Sequence, residues 1–280
     1  MTTSPTLACV IPSYDRPEKV RRAAASALRF GDFSEVIVVD DGSPRPVDLS
    51  GISDRRLRVV RHESNRGCSA ARNTGVREAQ TSHLFFLDDD DWLLPLAGWW
   101  LRRWLVSAIR RHGTDQIVVV GGLLVVAPGR VPMWRVPPTS TAGEIWGLDG
   151  GLVAGGKTFA TKQAAVLPRA LLDRIDGWDE RLRTRTTSEL FFRLTAIAPV
   201  EGHGWPVYCL NRAPHPKLTA DPAQREVSVA YIRRKHPDLL ADPARRAVFD
   251  KNHAENMRGA RTKARKPPGT TPQELGKRNR

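Results

Sequence analysis

Four consecutive carboxylates, Asp88, Asp89, Asp90 and Asp91, close an apolar run of strand length, His83–Leu87. Adjacent acids repel one another and lose solvation when partly buried, so the arrangement is costly unless something positive binds there. A hard divalent cation fits, because closely spaced oxygen ligands are what Mg²⁺ or Mn²⁺ requires. In a strand-to-loop segment Asp88 and Asp90 lie two residues apart and can point the same way. That makes them candidate metal ligands. The alternative is an acidic helix start before Trp92, where carboxylates suit the helix dipole.

The elements that would hold these acids alternate in type. Leu7–Pro12, Glu35–Val39, Leu57–Val60 and His83–Leu87 are short and apolar and read as buried strands. Asp15 as N-cap, Pro17 in the first turn and Glu18 open a helix whose apolar face is Val20, Ala23, Ala24, Ala27 and Leu28. A second helix opens within Asn65–Gly75 and runs to about Ala79. Alternating strands and helices predict an α/β fold with a mostly parallel sheet flanked by helices on both faces. In that architecture ligands gather at the carboxyl ends of the strands. Polar clusters fall at three such ends: Pro12–Asp15, Asp40–Ser43 and Asp88–Asp91.

Further along, Leu96–Arg111 reads as an amphipathic helix and 116–127 as a β-rich return. Residues 128–160, rich in Pro, Gly and Thr, read as an excursion that could cover a cleft. Ser188–Ala198 is helical, with Leu190, Phe191, Leu194 and Ile197 facing inward. From Asp221 the chain reads as helical to Asp250.

The chain of 280 residues carries a formal net charge of +14, and 40% of it is hydrophobic. Residues 251–280 hold nine Lys/Arg and two Glu, which supplies half of that charge. The basicity is therefore partly a tail property. It favours anionic partners, among them phosphate groups and an anionic membrane face. A specific nucleic-acid interface is not expected, since no aromatic-basic surface motif accompanies the charge. The three cysteines, Cys9, Cys68 and Cys209, have no zinc spacing and read as reduced thiols. With no apolar run long enough to span a bilayer and no leader-like N-terminus, a cytoplasmic location is expected, peripheral to the inner membrane face if the tail engages it.

The motifs in order are Cys9-Val-Ile-Pro-Ser-Tyr-Asp-Arg-Pro17, Val38-Val-Asp-Asp-Gly-Ser43, Asn65-Arg-Gly-Cys-Ser-Ala-Ala-Arg-Asn-Thr-Gly75 and Phe86-Leu-Asp-Asp-Asp-Asp91. Together they resemble the family 2 glycosyltransferases of the GT-A fold. Gly177-Trp-Asp-Glu-Arg-Leu182 and Asn211-Arg-Ala-Pro-His-Pro-Lys-Leu-Thr219 extend the likeness, so that it covers roughly residues 7–220. The resemblance implies a GT-A domain over 1–220, with a nucleotide-sugar half, 1–112, and an acceptor half, 113–220. A helical extension, 221–258, and a basic tail, 259–280, would follow.

The resemblance further implies transfer of a sugar from a nucleoside-diphosphate donor, UDP-linked at first guess, to a hydroxyl acceptor with inversion. The acceptor would be a glycan, a lipid-linked molecule or a small molecule. Pro12 and Tyr14 would line the base pocket. Asp41 would accept from an imide N–H of the base, a role suited to an acceptor-only carboxylate. Arg72 would lie by the base or phosphates, Asp88 and Asp89 would meet the donor, and Asp88 and Asp90 would hold Mn²⁺ or Mg²⁺. His215 would sit near the metal or pyrophosphate. The family's usual Glu-Asp pair, whose Asp is the base, aligns with Thr186 and Thr187. Glu189 is the first substitute, with Asp179 and Glu180 behind it. The loss of that pair leaves a second reading open: a nucleotide-sugar-binding protein without transfer.

Overall fold

The computed structural model describes residues 4–137, 139, 163–213 and 221–243, the short strands 152–153 and 157–158, and scattered positions from 246 to 257. The chain divides into two compact units, Met1–His215 and Pro216–Arg280. The first is built on a nine-stranded mixed sheet.

Four strands form its parallel part, in the order β3 (Leu57–Arg61), β2 (Glu35–Asp40), β1 (Leu7–Ser13) and β4 (His83–Phe86). Beyond β4 the sheet becomes mixed. β10 (Ala165–Pro168) runs antiparallel to both β4 and β6 (Val118–Val126), while β11 (Val200–Asn211) is parallel to β6. β5 (Trp92–Leu93) and β7 (Met133–Arg135) add antiparallel pairs on β11 and β6. A separate small hairpin joins β8 (Leu152–Val153) to β9 (Lys157–Thr158).

Strand alternation sorts the core into two layers. On β1, Leu7, Cys9 and Ile11 face one side, where α1 (Pro17–Phe30) and α3 (Ala97–His112) pack. Ala8 and Val10 face the other, where α2 (Cys68–Glu78), α4 (Arg169–Arg174) and α5 (Thr186–Ile197) pack. A strand buried on both faces needs apolar residues at nearly every position, and this is why β1, β2 and β4 read as hydrophobic runs.

Two glycines set how closely helices approach the sheet. A Cβ on Gly75 of α2 would stand 2.2 Å from a Val10 methyl, so its absence lets α2 lie against β1. At Gly98 a Cβ would stand 1.8 Å from the backbone nitrogen of Asp32. Backbone cannot yield as a side chain can. Gly98→Ala is therefore expected to destabilise the protein by about 3 kcal/mol or more, measured by urea unfolding.

Three local features differ from the sequence expectation. Asp15 does not cap α1: its φ of 53° is left-handed, and its amide donates instead to Ser43 Oγ at 2.9 Å. Tying the tips of β1 and β2 together takes precedence over capping. α5 starts at Thr186, two residues before the expected Ser188, behind a left-handed Arg185. In the second unit, α6 (Pro222–Lys235) is followed by a turn at 237–241, and helical residues resume at 243, 246–247 and 249–250, so the expected stretch is helical but interrupted. Asp221 caps α6 by accepting from Ala223 N at 2.9 Å. Among the described residues no helix is long and apolar enough to cross a membrane.

Candidate active site

The carboxyl ends of β1, β2 and β4 lie side by side, because these three strands are parallel neighbours. Side-chain bonds tie their tips. Ser13 Oγ at the end of β1 donates to Asp89 Oδ2 at 2.9 Å. Arg16, three residues on, donates to Asp89 Oδ1 at 2.9 Å and reaches Asp90 Oδ2 at 3.5 Å. From α2, the buried Arg72 donates to Asp88 Oδ1 at 2.7 Å, and its guanidinium lies 5.8 Å from the Trp178 ring. Two guanidiniums thus face three of the four acids, which offsets their mutual repulsion.

The fourth acid points away. Asp91 is 1% exposed and accepts from Tyr208 Oη and from Asn211 N, both at 2.7 Å. Burial first, then the charge of Asp88, pushes its carboxyl up to about 8. Burial likewise raises Asp89, to about 6, with Arg16 opposing. Tyr208 Oη also accepts from Asp88 N at 3.2 Å, and Asn211 Nδ2 donates to Asp90 O at 3.2 Å. β11 therefore holds the acidic loop from behind. Tyr208→Phe leaves Asp91 short of a donor and the Asp88 amide short of an acceptor. It is expected to destabilise the protein by about 1–3 kcal/mol, read by urea unfolding.

Asp41 occupies the end of β2. Its Oδ1 accepts from Arg66 N at 2.9 Å and His62 Nδ1 at 2.8 Å, and its Oδ2 from Gly67 N at 2.8 Å. A carboxylate offers about four lone-pair positions, so three bonds leave one on Oδ2 uncommitted, within a residue that is 3% exposed. Its neighbour Asp40 is used within the fold. Burial opposes its charge, yet bonds from Ser43 N, Val47 N and Arg61 hold its carboxyl below the usual range. Pro12 is buried within β1, while Tyr14 is 44% exposed at its tip. Burial pushes the thiol of Cys68, the first residue of α2, up to about 11, with Arg72 opposing.

Beside Asp88 a small cleft opens, lined by Arg72, Asp88, Gln163, Trp178, Thr187 and Phe191 among others. Thr187, in the first turn of α5, thus forms part of its wall. Glu189 does not. It is 1% exposed, and its carboxylate accepts from Arg193 Nε at 2.8 Å and Nη2 at 2.7 Å. Arg193 donates in turn to Gly177 O at 2.7 Å and to Ile175 O. Asp179 accepts from Arg181 N at 3.0 Å and Nε at 3.1 Å. Glu180 is the most open of the three, its side chain 39% exposed, and accepts from Asn73 Nδ2 at 2.9 Å. Asn73 also exchanges two 2.9 Å bonds with the backbone of Trp178, which docks the 177–180 turn onto α2. His215 lies outside the described residues.

Arg16, His62, Tyr208 and Asn211 were not assigned a role from sequence. Arg16 carried a signal, since it stands beside the Pro12–Asp15 cluster. His62 directly follows β3, at a fourth strand end. Asn211 opens one of the motifs that carry the resemblance, whereas Tyr208 had no signal, because its partner lies 117 positions away.

Among the described residues no three His, Cys, Asp or Glu side chains converge as a ready-made metal cage. The donor set still fits a hard cation of the Mg²⁺ or Mn²⁺ type. Such ions are held by one or two carboxylates together with substrate phosphates rather than by all-protein cages. Asp88 and Asp90 keep side-chain exposures of 31% and 15% and can supply that pair.

An α/β sheet with acids and arginines converging at its carboxyl edge defines the class of protein. The family model described as glycosyl transferase family 2 matches residues 8–166, and the chain belongs to that family. Among its relatives are the succinoglycan biosynthesis protein ExoU of Rhizobium meliloti, 38% identical over 97 residues, and the pre-mycofactocin glycosyltransferase of Mycobacterium tuberculosis, 26% identical over 190 residues. These alignments cover 33% and 66% of this chain, but only 28% and 38% of the relatives' own lengths. The fold is similar to that of S. aureus TarS 1–349 in complex with UDP-GlcNAc. The TM-score is 0.59 at 19% identity, over 81% of this chain and 66% of that one. The fold is therefore that of the GT-A glycosyltransferases.

Proposed function

We propose that this protein transfers a glycosyl group from a nucleoside-diphosphate sugar, UDP-linked, to a hydroxyl acceptor with inversion, using a divalent cation. The observation that carries this reading is the convergence of Asp88, Asp89, Asp90, Arg16 and Arg72 at neighbouring strand ends. The family and the UDP-sugar complex of a protein of similar fold support it.

Asp41 accepts the imide N–H of the base through its remaining lone pair, beside the exposed ring of Tyr14. Arg72 and Arg16 meet the diphosphate as planar cations able to fork onto its oxygens. Asp88 and Asp90 would hold the cation, which when bound supplies Lewis-acid stabilisation of the departing diphosphate. The acceptor oxygen attacks the anomeric carbon as the bond to the diphosphate breaks. A single in-line displacement inverts that centre. A carboxylate must take the acceptor proton. We assign that task to Glu180, whose side chain is 39% exposed and meets Arg66 at 3.4 Å, whereas Glu189 and Asp179 are buried in closer pairs with Arg193 and Arg181. An acceptor linked to a lipid suits the basic tail, where each basic residue near an anionic surface contributes about 1 kcal/mol.

The test is nucleoside-diphosphate release from a panel of nucleotide sugars, with Mn²⁺, Mg²⁺ or chelator and with acceptors supplied. Release from a UDP-sugar that requires metal is expected. Tight donor binding with no release under any condition would replace the transferase by a binding protein, the reading that Thr186 and Thr187 leave open.

A further inference from the structure

Outside the site, the first unit exposes aromatic surface that the proposed chemistry does not use. Trp99 on α3, Trp134 on β7 and Trp205 on β11 are 53%, 49% and 50% exposed. They form one patch, because their rings are linked: Trp99 to Trp100 at 4.6 Å, Trp100 to Trp205 at 5.9 Å, and Trp205 to Trp134 at 6.1 Å. Trp134 Nε1 further fastens β7 to β11 by donating to Gly204 O at 2.6 Å. Met133 and Val131 extend the apolar surface along the same segment at 48% and 89% exposure. Soluble surfaces rarely gather so many large apolar groups without a partner.

The charge around the patch says which partner. Between Trp92 and Gly143 the chain has six arginines and a single acid, Asp115. Arg103 lies over the Trp99 ring at 5.5 Å, and the exposed Arg130 precedes Val131 on the approach to β7. The nearest acid on β11, Glu201, is buried and faces Arg111, His112 and His203. Half-exposed tryptophans beside the exposed Arg103 and Arg130 match the interface of an anionic bilayer. Indoles there sit at headgroup depth, and arginines meet lipid phosphates. A neutral glycan would stack on the rings but would have no use for the cations.

We propose that the Trp99–Trp205–Trp134 face docks the catalytic unit onto an anionic lipid surface. This site lies on the first unit and does not depend on the transferase reading. The test uses the full chain and vesicles of phosphatidylcholine with or without phosphatidylglycerol, carrying brominated acyl chains that quench tryptophan at bilayer depth. Binding that needs phosphatidylglycerol, with quenched fluorescence, is expected. The W99S/W134S/W205S variant should lose the quenching. Its affinity should fall by two to three powers of ten, roughly tenfold per indole. Because that variant could misfold, R103E/R130E offers a second route. It leaves every tryptophan in place and is expected to weaken binding while its thermal melt stays at the native value. Absent vesicle binding, or binding through the tail with unquenched tryptophans, overturns the proposal. So does quenching by soluble oligosaccharide with no vesicle binding, which would make the face a glycan platform.

Discussion

Asp90→Asn should abolish metal-dependent release of nucleoside diphosphate, by roughly a thousandfold, with little change in folding. The fall follows from losing charge stabilisation on the leaving diphosphate, an effect of several kcal/mol. The fold should survive because Asp90 lies 3.5 Å from Arg16, further than Asp89 at 2.9 Å, and keeps a side-chain exposure of 15%. Asp88→Asn should cost as much activity but also some stability. It removes the charge facing the buried Arg72, which Asp88 contacts at 2.7 Å. Steady-state rates across a Mn²⁺ series, with thermal melts of both variants, separate the two effects. Equal activity of Asp90→Asn and the native protein at saturating metal would remove this carboxylate from the chemistry.

Arg193→Met is expected to destabilise the first unit by about 3–5 kcal/mol. It leaves the Glu189 carboxylate, with no side-chain exposure, without its bidentate partner, and frees the carbonyls of Ile175 and Gly177. Breaking a buried pair from one side costs that much because a charge is left uncompensated. Glu189 is accordingly built into the contact between α5 and the 175–177 turn, whatever it does in chemistry. The paired test is catalytic. Glu180→Gln should lower kcat by about a hundredfold or more, the usual worth of a general base, with an unchanged melt. Glu189→Gln should instead lower the melting temperature and largely preserve kcat. The opposite pattern would return the base to Glu189.

The parallel half of the sheet was legible in sequence because β1, β2 and β4 are buried on both faces and so write nearly uninterrupted apolar runs, while the edge strand β3, Leu-Arg-Val-Val-Arg, is partly exposed and alternates with arginines. The acids at the strand ends were legible for a related reason: polar groups abutting such runs stand out. What stayed hidden depends on contacts distant in sequence. β10 inserts antiparallel between β4 and β6, and nothing in Ala164–Leu167 announces its direction. Asp15 looked like a helix cap until Ser43, from another strand end, took up its amide. Tyr208 reads as one more aromatic in a strand, yet it secures the loop that carries Asp88 and Asp91. Thr187 was marked by alignment as the place of a missing acid, and its position in the cleft wall beside Asp88 comes only from packing α5 against β10.

The central claim is that the acidic loop after β4 binds a divalent cation together with a diphosphate. Calorimetric titration of Mn²⁺ into the native protein, with and without a UDP-sugar, tests it most directly. A saturable binding heat that the nucleotide strengthens, and that Asp90→Asn removes, is the expected result. Absence of binding by both Mn²⁺ and Mg²⁺, whether or not nucleotide is present, would contradict it.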